Sequence, residues 1–360
     1  MPRLRYYISG HGLGHASRSC QIINTLGRLH PQLEVDVVSD AQPWFLAQAL
    51  DPPVPVRHAA LDIGVLQKDS LVMEEERTLQ TYREFLRPRP ALVAAETEAL
   101  RRDGIDLVAA DIPAAAFAAA HAAGIPAVGI SNFSWDWIYE GLAERHPGYD
   151  DVLTSLRNDY RLADRLLRLP FHGRASSFAV VEELPLVVRR APLTKPEVRR
   201  RLGIPPQQKL ALISFGGFGL EEFASRPLCA LGDWVFLSEK GLGEAAANLL
   251  HLERGLIPYP ALVAAADAVV TKPGYGIVSE AIAHGTAVLY THRGDFREQQ
   301  LLIAALHRHT RALAIDNDSL RRGKWGPFLE QLLSQPQPPL TLATHGDDVA
   351  AARLAELAGD

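Results

Sequence analysis

"YISGHGLGHASR", residues 7 to 18, crowds three glycines and two histidines into the six positions from Gly10 to His15, directly behind a short apolar run. Leu4 to Ser9 reads as a β-strand, and beyond the loop Ile22, Ile23, Leu26 and Leu29 recur at helical spacing. A strand that feeds a helix through glycines is the opening unit of an α/β sheet. Glycine lets a ligand come close to the backbone. The helix behind it offers unpaired N–H groups and a partial positive charge, which suits phosphate. The spacing departs from the dinucleotide fingerprint: G-x-G-x-x-G, begun at Gly10, puts its last glycine at position 15, where His15 stands.

The same alternation continues outward. Glu34 to Ser39 reads as a strand, Ala91 to Arg102 as a helix stopped by Gly104, Ile105 to Ala110 as a strand ending at Asp111, and Pro126 to Ile130 as another strand. Ligands on parallel sheets bind at the carboxyl ends of the strands, so Gly10 to His15, Asp111 and Ser131 to Tyr139 are expected on one rim. Near Pro170 the rhythm breaks into a stretch rich in proline and basic residues. It restarts at Lys209 to Phe215 with "GGFG" (Gly216 to Gly219) and the further strands "DWVFLS", "DAVVT" and "TAVLYT". The expectation is an α/β chain of two Rossmann-like domains, 1–185 and 186–345, with a last helix in 346–360 packing back on the first.

Bulk properties narrow the function. The chain has 360 residues, 47% hydrophobic and 22% charged, which is globular and long enough for two cores. A net charge of −5 argues against a nucleic-acid partner. Two cysteines, Cys20 and Cys229, form no disulfide framework, and no signal peptide or membrane-spanning run is visible, so a cytoplasmic location is expected, with a peripheral membrane contact left open.

"TKPGYGIVSEAIAHG", residues 271 to 285, is the most informative stretch of the second half. Pro273, Gly274 and Gly276 turn the chain onto a helix with Ile277, Val278, Ala281 and Ile282 on one face. Glu280 lies about one turn in. A carboxylate there can accept two hydrogen bonds from a vicinal diol while the helix end faces phosphates. It can equally complement the helix dipole alone.

Together these residues resemble a known family. Two Rossmann-like halves, K-P-G-Y-G-x-V-S-E and "HRGDFREQQ" are similar to GT-B glycosyltransferases, and the C-terminal half to the MurG family. "ISGHGLGHASR", "NFSWDWIY", "LPLVVRR", "GYGIVSEA" and "GKWGPFLE" resemble the glycosyltransferase-like N-terminal half of plant L-arabinokinase over nearly the whole chain. The kinase half has no counterpart, so sugar-kinase activity is not implied. The resemblance implies a GT-B fold, two Rossmann-like domains facing each other across a cleft, with the nucleotide sugar on the C-terminal domain and the acceptor on the N-terminal one. Glu280 would then hold the ribose. Gly216, Gly217 and the N–H groups from Gly274 to Gly276 would face the diphosphate, and Lys272 would belong to the donor site. Leu256 and Ile257 would flank the base, and Asp295, Glu298 and Gln299 would meet the sugar hydroxyls. Gly12, Gly14, Asn132, Trp135 and Asp136 would lie on the acceptor side. The family's G-G-T-G-G-H reads G-H-G-L-G-H here, and the serine-glutamine pair after its second loop is Phe218-Gly219.

Inverting sugar transfer needs a base for the acceptor hydroxyl and stabilisation of the departing diphosphate. His15 stands where GT-B transferases of plant natural products carry a catalytic histidine, and Asp111 ends the strand counted as fourth, where theirs carry the orienting aspartate. His15–Asp111 is the candidate dyad and His11 the alternative. Other features have plainer readings. Arg157, Arg161 and Arg165 read as a solvated helix face. "DND", Asp316 to Asp318, reads as a helix start rather than a metal-binding D-x-D. No metal and no cofactor is expected beyond a nucleotide sugar, taken as a UDP-sugar. The expected activity is metal-independent, inverting glycosyl transfer to an unidentified acceptor. Epimerisation or hydrolysis of the nucleotide sugar, or non-catalytic sensing of UDP-sugars, stay open as alternatives.

Overall fold

The computed structural model describes residues 1–68, 71–216, 223–239, 242 and 247–359. These form two compact units, one of residues 1–66, 74–188 and 343–360, the other of 67–73 and 189–342.

In the first unit, β1 (Arg3–Ile8), β2 (Glu34–Ser39), β3 (Val56–His58), β4 (Leu107–Asp111), β5 (Ala127–Ser131), β6 (Arg165–Arg168) and β7 (Val181–Glu183) make one parallel sheet in the order β3-β2-β1-β4-β5-β6-β7. The helices between them are α1 (Gly12–Leu29), α2 (Pro43–Ala49), α3 (Glu75–Phe85), α4 (Arg89–Arg102), α5 (Ala114–Ala123), α6 (Trp135–Arg145) and α7 (Asp150–Tyr160). β1 and β4 carry apolar side chains on both faces, as a strand covered by helices on both sides must. The chain runs outward from β1 through β2 and β3, then returns to pair β4 on the other side of β1. Ile8 therefore lies in register with Asp111, and the Ser9 N–H donates to the Asp111 carbonyl at 2.8 Å. This reversal of strand order opens a crevice between the β1–α1 loop and the end of β4.

The second unit repeats the plan. Its parallel sheet contains β8 (Lys209–Ser214), β9 (Trp234–Ser238), β10 (Leu249–His251), β11 (Ala268–Thr271), β12 (Ala287–Tyr290) and β13 (Ala312–Ala314), ordered β10-β9-β8-β11-β12-β13. Its helices are α8 (Lys195–Arg201), α9 (Tyr259–Ala265), α10 (Tyr275–His284), α11 (Arg297–His309), α12 (Asn317–Arg321) and α13 (Gly326–Ser334). Alternate residues divide between two cores: Ala211, Ile213, Trp234, Phe236 and Val270 join Trp325 on one face, while Leu210, Leu212, Val235, Leu237 and Val269 meet Leu262 on the other. The basic stretch before β8 is tied to its own unit, since Lys195 and Arg199 both reach Asp267 at 2.6 Å.

The chain ends in α14 (Gly346–Ala358), which packs on α1 within the first unit. Its buried Asp347 accepts from Gln21 Nε2 at 2.7 Å and Thr25 Oγ1 at 2.8 Å, and Arg353 pairs with Glu182 at 3.0 Å. The helix starts against the backbone of the strand-exit segment, where a Cβ on Gly346 would stand 2.1 Å from the Pro185 carbonyl oxygen. Gly346→Ala is therefore expected to undock α14 or displace that backbone, costing about 1–3 kcal/mol or more. Urea unfolding of the full chain checks it: the midpoint should fall, and an unchanged midpoint would show that this approach does not hold α14 in place.

Candidate functional site

In the first unit the site begins with α1. His11 is its N-cap residue, with the backbone N–H donating to Ser9 Oγ at 3.3 Å rather than to a capping side chain of its own. From this start, His15, Arg18 and Ser19 fall on one face of the helix at i, i+3 and i+4. All three reach Asp111, which is fully buried at the end of β4. His15 Nδ1 lies 2.8 Å from Asp111 Oδ1, Arg18 Nε donates to Oδ2 at 2.6 Å, Arg18 Nη2 to Oδ1 at 2.7 Å, and Ser19 Oγ to Oδ2 at 3.2 Å. Arg18 also spans to the neighbouring strand, donating to Asn132 Oδ1 at 2.7 Å and Ser131 Oγ at 2.9 Å. Burial works to raise the Asp111 pKa. The charge of Arg18, then that of His15, with their hydrogen bonds, more than offset it and hold the carboxyl down at about 2.

An aromatic wall covers this polar cluster. The His15 ring meets Phe133 edge-on at 5.4 Å and Trp135 at 5.8 Å, and His11 meets Trp135 at 5.2 Å. Trp135 is buried and turns its Nε1–H onto Asp62 Oδ2 at 2.8 Å. His11 Nδ1 accepts from the Val65 N–H at 3.2 Å, in a space that exists because Gly64 has φ of 65° and no side chain; a Cβ there would stand 2.6 Å from the His11 Cβ. Burial raises the Asp62 pKa, opposed by hydrogen bonds from Ser9 and Trp135 and by the nearby His15. Asp62 belongs to a loop without periodicity and gave no signal in the sequence. Arg18 gave one: it shares the helix face of His15, but one arginine beside a glycine loop reads equally as solvated.

The structure brings His15, Asp111, His11, Asn132 and Trp135 together. Asn132 accepts from Arg18, and Trp135 is buried wall beside the histidines. Asp136 is corrected from an acceptor-side group to a structural one. Its carboxylate accepts from Ser134 Oγ and, at 2.5 Å, from Ser177 Oγ, which closes the start of α6. Gly12 and Gly14 lie in the first turn of α1, and no described residue stands within 4 Å of a Cβ placed on Gly12. The arginine stripe does not lie on one helix face: Arg157 and Arg161, at the end of α7, pair with Glu140 and Asn158, whereas Arg165 opens β6 and pairs with Glu182.

The second unit holds the donor-side candidates. Gly274 caps α10, and among the described residues a Cβ on it would meet nothing within 4 Å. The N–H groups of the first turn, which includes Gly276, have no intrahelical partner there. Lys272, half-buried, sits just before the cap. Glu280 is buried further along α10; its Oε1 accepts from Arg189 Nε at 2.6 Å, while Oε2 accepts no hydrogen bond among the described residues. Arg189 also lies 5.5 Å over the Tyr259 ring, whose hydroxyl meets Ser214 Oγ at 2.5 Å. Gly216 follows β8 with φ of 67°, and Gly217 lies outside the described residues, as do Phe218 and Gly219. Leu256 is 65% exposed, but Ile257 is 2% exposed and packed in the core, so its side chain is corrected from base contact to packing. Asp295 is exposed. Glu298 is buried 3.5 Å from Arg293, and Gln299 is spent on its own loop, accepting from the Arg293 N–H at 2.8 Å. Asp316 caps α12 by accepting from the Ser319 N–H at 2.8 Å, which is the helix-start reading of "DND".

No protein-family profile matches the chain. It is 31% identical over 362 residues to L-arabinokinase of Arabidopsis thaliana, covering 98% of this chain and 34% of that protein, so it spans about a third of that relative's length. It is 24% identical over 283 residues to an uncharacterized glycosyltransferase of Methanopyrus kandleri, covering 73% of this chain and 78% of that one. Among solved structures it is similar to the glycotransferase of kitacinnamycin (TM-score 0.62, 18% identity, 99% of this chain and 94% of that one). It is also similar to Phytolacca americana UGT2 complexed with UDP-2fluoro-glucose and pterostilbene (0.62, 14%, 100% and 94%) and to Acinetobacter baumannii MurG (0.57, 13%, 99% and 100%). The fold is the GT-B glycosyltransferase fold.

Asp111 and Asp62 should respond oppositely to replacement. The Asp111 pKa is depressed, so its stabilisation is fully present above about pH 4 and is lost as pH falls towards about 2. Asp111→Asn should cost about 3–5 kcal/mol at pH 7, since it strands Arg18, and less at pH 3. Asp62 has a raised pKa, so its ionisation costs stability above about pH 4. Asp62→Asn should be as stable as the parent at pH 3 and no less stable at pH 7. Urea titrations at both pH values check the pair; an Asp62→Asn chain weaker than the parent at pH 7 contradicts the second expectation.

Proposed function

We propose that this chain is a glycosyltransferase that moves a sugar from a nucleotide donor, a UDP-sugar, to an acceptor hydroxyl, with inversion and without a metal ion. The observation that carries the reading is the His15 Nδ1–Asp111 contact of 2.8 Å at the open end of the first sheet. An imidazole held through Nδ1 presents Nε2, and a buried carboxylate behind it stabilises the imidazolium formed when a proton is taken. The acceptor hydroxyl loses its proton to Nε2, its oxygen bonds to the anomeric carbon, and the bond from that carbon to the diphosphate oxygen breaks. The nucleoside diphosphate leaves with the electron pair. Its charge is received by the N–H groups opening α10 and by Lys272, a job fixed amides perform without a metal. Glu280 Oε2, buried and with no donor among the described residues, suits a ribose hydroxyl.

The names of the relatives support the class of reaction, and the complex of the Phytolacca enzyme supports a uridine donor. His15→Ala should lower turnover by about 10²–10⁴ with donor affinity nearly unchanged. Glu280→Ala should weaken donor binding at least about tenfold, by loss of a charge-assisted hydrogen bond and disturbance of Arg189. Calorimetry with a panel of nucleotide sugars, followed by donor incubation with and without candidate acceptors, tests the whole reading. Release of free sugar from donor alone, unchanged by any acceptor, would favour hydrolysis; full turnover by His15→Ala would remove the base.

A further inference from the structure

The structure assigns to Arg18 a role that no resemblance supplies: we infer that it is the positioning residue that keeps His15 Nε2 bare. The inference rests on the reading of His15 as the base. Hydrogen counting carries it. Arg18 Nη2 has two hydrogens and three neighbours: Asp111 Oδ1 at 2.7 Å, Ser131 Oγ at 2.9 Å and His15 Nδ1 at 2.9 Å. Nδ1 also lies 2.8 Å from Asp111 Oδ1. Two lone pairs do not face one another at that distance, so a proton stands between them.

Which atom owns that proton depends on Arg18. With Nε and Nη2 donating to both carboxylate oxygens, Asp111 is an ionised acceptor, in keeping with its depressed pKa. The proton between it and the ring therefore belongs to Nδ1, the Nη2 hydrogens go to Oδ1 and Ser131, and in the neutral ring Nε2 carries none. Without the guanidinium, its charge no longer compensates the buried carboxylate, and two protonation states of the pair that relieve it are favoured. The carboxylate can take a proton itself and donate to Nδ1, which leaves the neutral ring with its hydrogen on Nε2. It can instead remain ionised and hold the ring as imidazolium, again with a hydrogen on Nε2. Both outcomes block the nitrogen that the reaction needs. The remaining neighbours do not replace Arg18: Ser19 Oγ donates one uncharged hydrogen bond to Oδ2 at 3.2 Å, Phe133 and Trp135 are aromatic, His11 is 6.4 Å away ring to ring, and Asp62, beyond Trp135, is itself a carboxyl.

The experiment is nitrogen NMR of the full chain labelled with ¹⁵N-histidine, with the His15 signals assigned by their loss in His15→Gln, and with no substrate present. Near pH 8 the parent should show His15 protonated at Nδ1 and bare at Nε2. Arg18→Gln should show a proton on Nε2, and Arg18→Lys, which keeps the charge, should remain bare there. Where a transfer assay is in hand, Arg18→Gln should lose at least about tenfold in kcat with KM for the donor unchanged, and Arg18→Lys should recover part of it. A hydrogen on Nε2 in the parent overturns the inference, and that measurement needs no variant to fold. So does an Arg18→Gln chain that is folded by circular dichroism and still bare at Nε2. The spectra are independent of turnover, so failure of the transferase reading leaves them unmoved, and their failure leaves that reading standing.

Discussion

A carboxylate with no exposure to water sits at the end of the central strand pair of the first unit, and much of the local structure answers to it. Asp111 is brought there by parallel pairing of β4 with β1, in register with Ile8. An isolated charge at such a position is untenable. Its compensation comes from one face of α1, where residues at i, i+3 and i+4 deliver an imidazole, a guanidinium and a hydroxyl to the same two oxygens. Three side chains on one turn fix the rotation of α1 about its axis. They thereby fix where its N-terminus and the glycine loop stand. Arg18 carries the constraint on to β5 through Ser131 and Asn132, so three strand ends are drawn into one polar knot.

This explains what could be read beforehand and what could not. The sheet was legible because strands buried on both faces are written as unbroken apolar runs, and helices as a 3.6-residue period. A shared rim for the glycine loop and Asp111 was legible because a parallel order gathers the ends of its strands, while the pairing of His15 with Asp111 came from the resemblance to GT-B transferases. The role of Arg18 was not, since a basic residue one turn into a helix has the same signature whether it meets water or a carboxylate. Asp62 was hidden for a different reason: its loop has no period, and only the tertiary approach of Trp135 and Ser9 gives it a setting. Asp136 and Ile257 misled for a shared reason. Each neighbours a position with a plausible site role, and adjacency along a chain does not say which way a side chain faces.

The two units use one architecture with unequal chemistry at the reversal of strand order. In the first, the acidic group is saturated: both oxygens of Asp111 have donors from inside the protein. In the second, the buried Glu280 has one oxygen bound by Arg189 and one with no donor among the described residues. A saturated carboxylate has nothing left to offer a ligand, so Asp111 acts through the groups it orients. A half-satisfied one retains a desolvation cost of about 1–3 kcal/mol, more for a charged group, that a hydroxyl donor from outside would relieve. The unequal count of donors follows from where each carboxylate lies: Asp111, at the end of β4, meets three side chains of α1, whereas Glu280, within α10, meets the single Arg189.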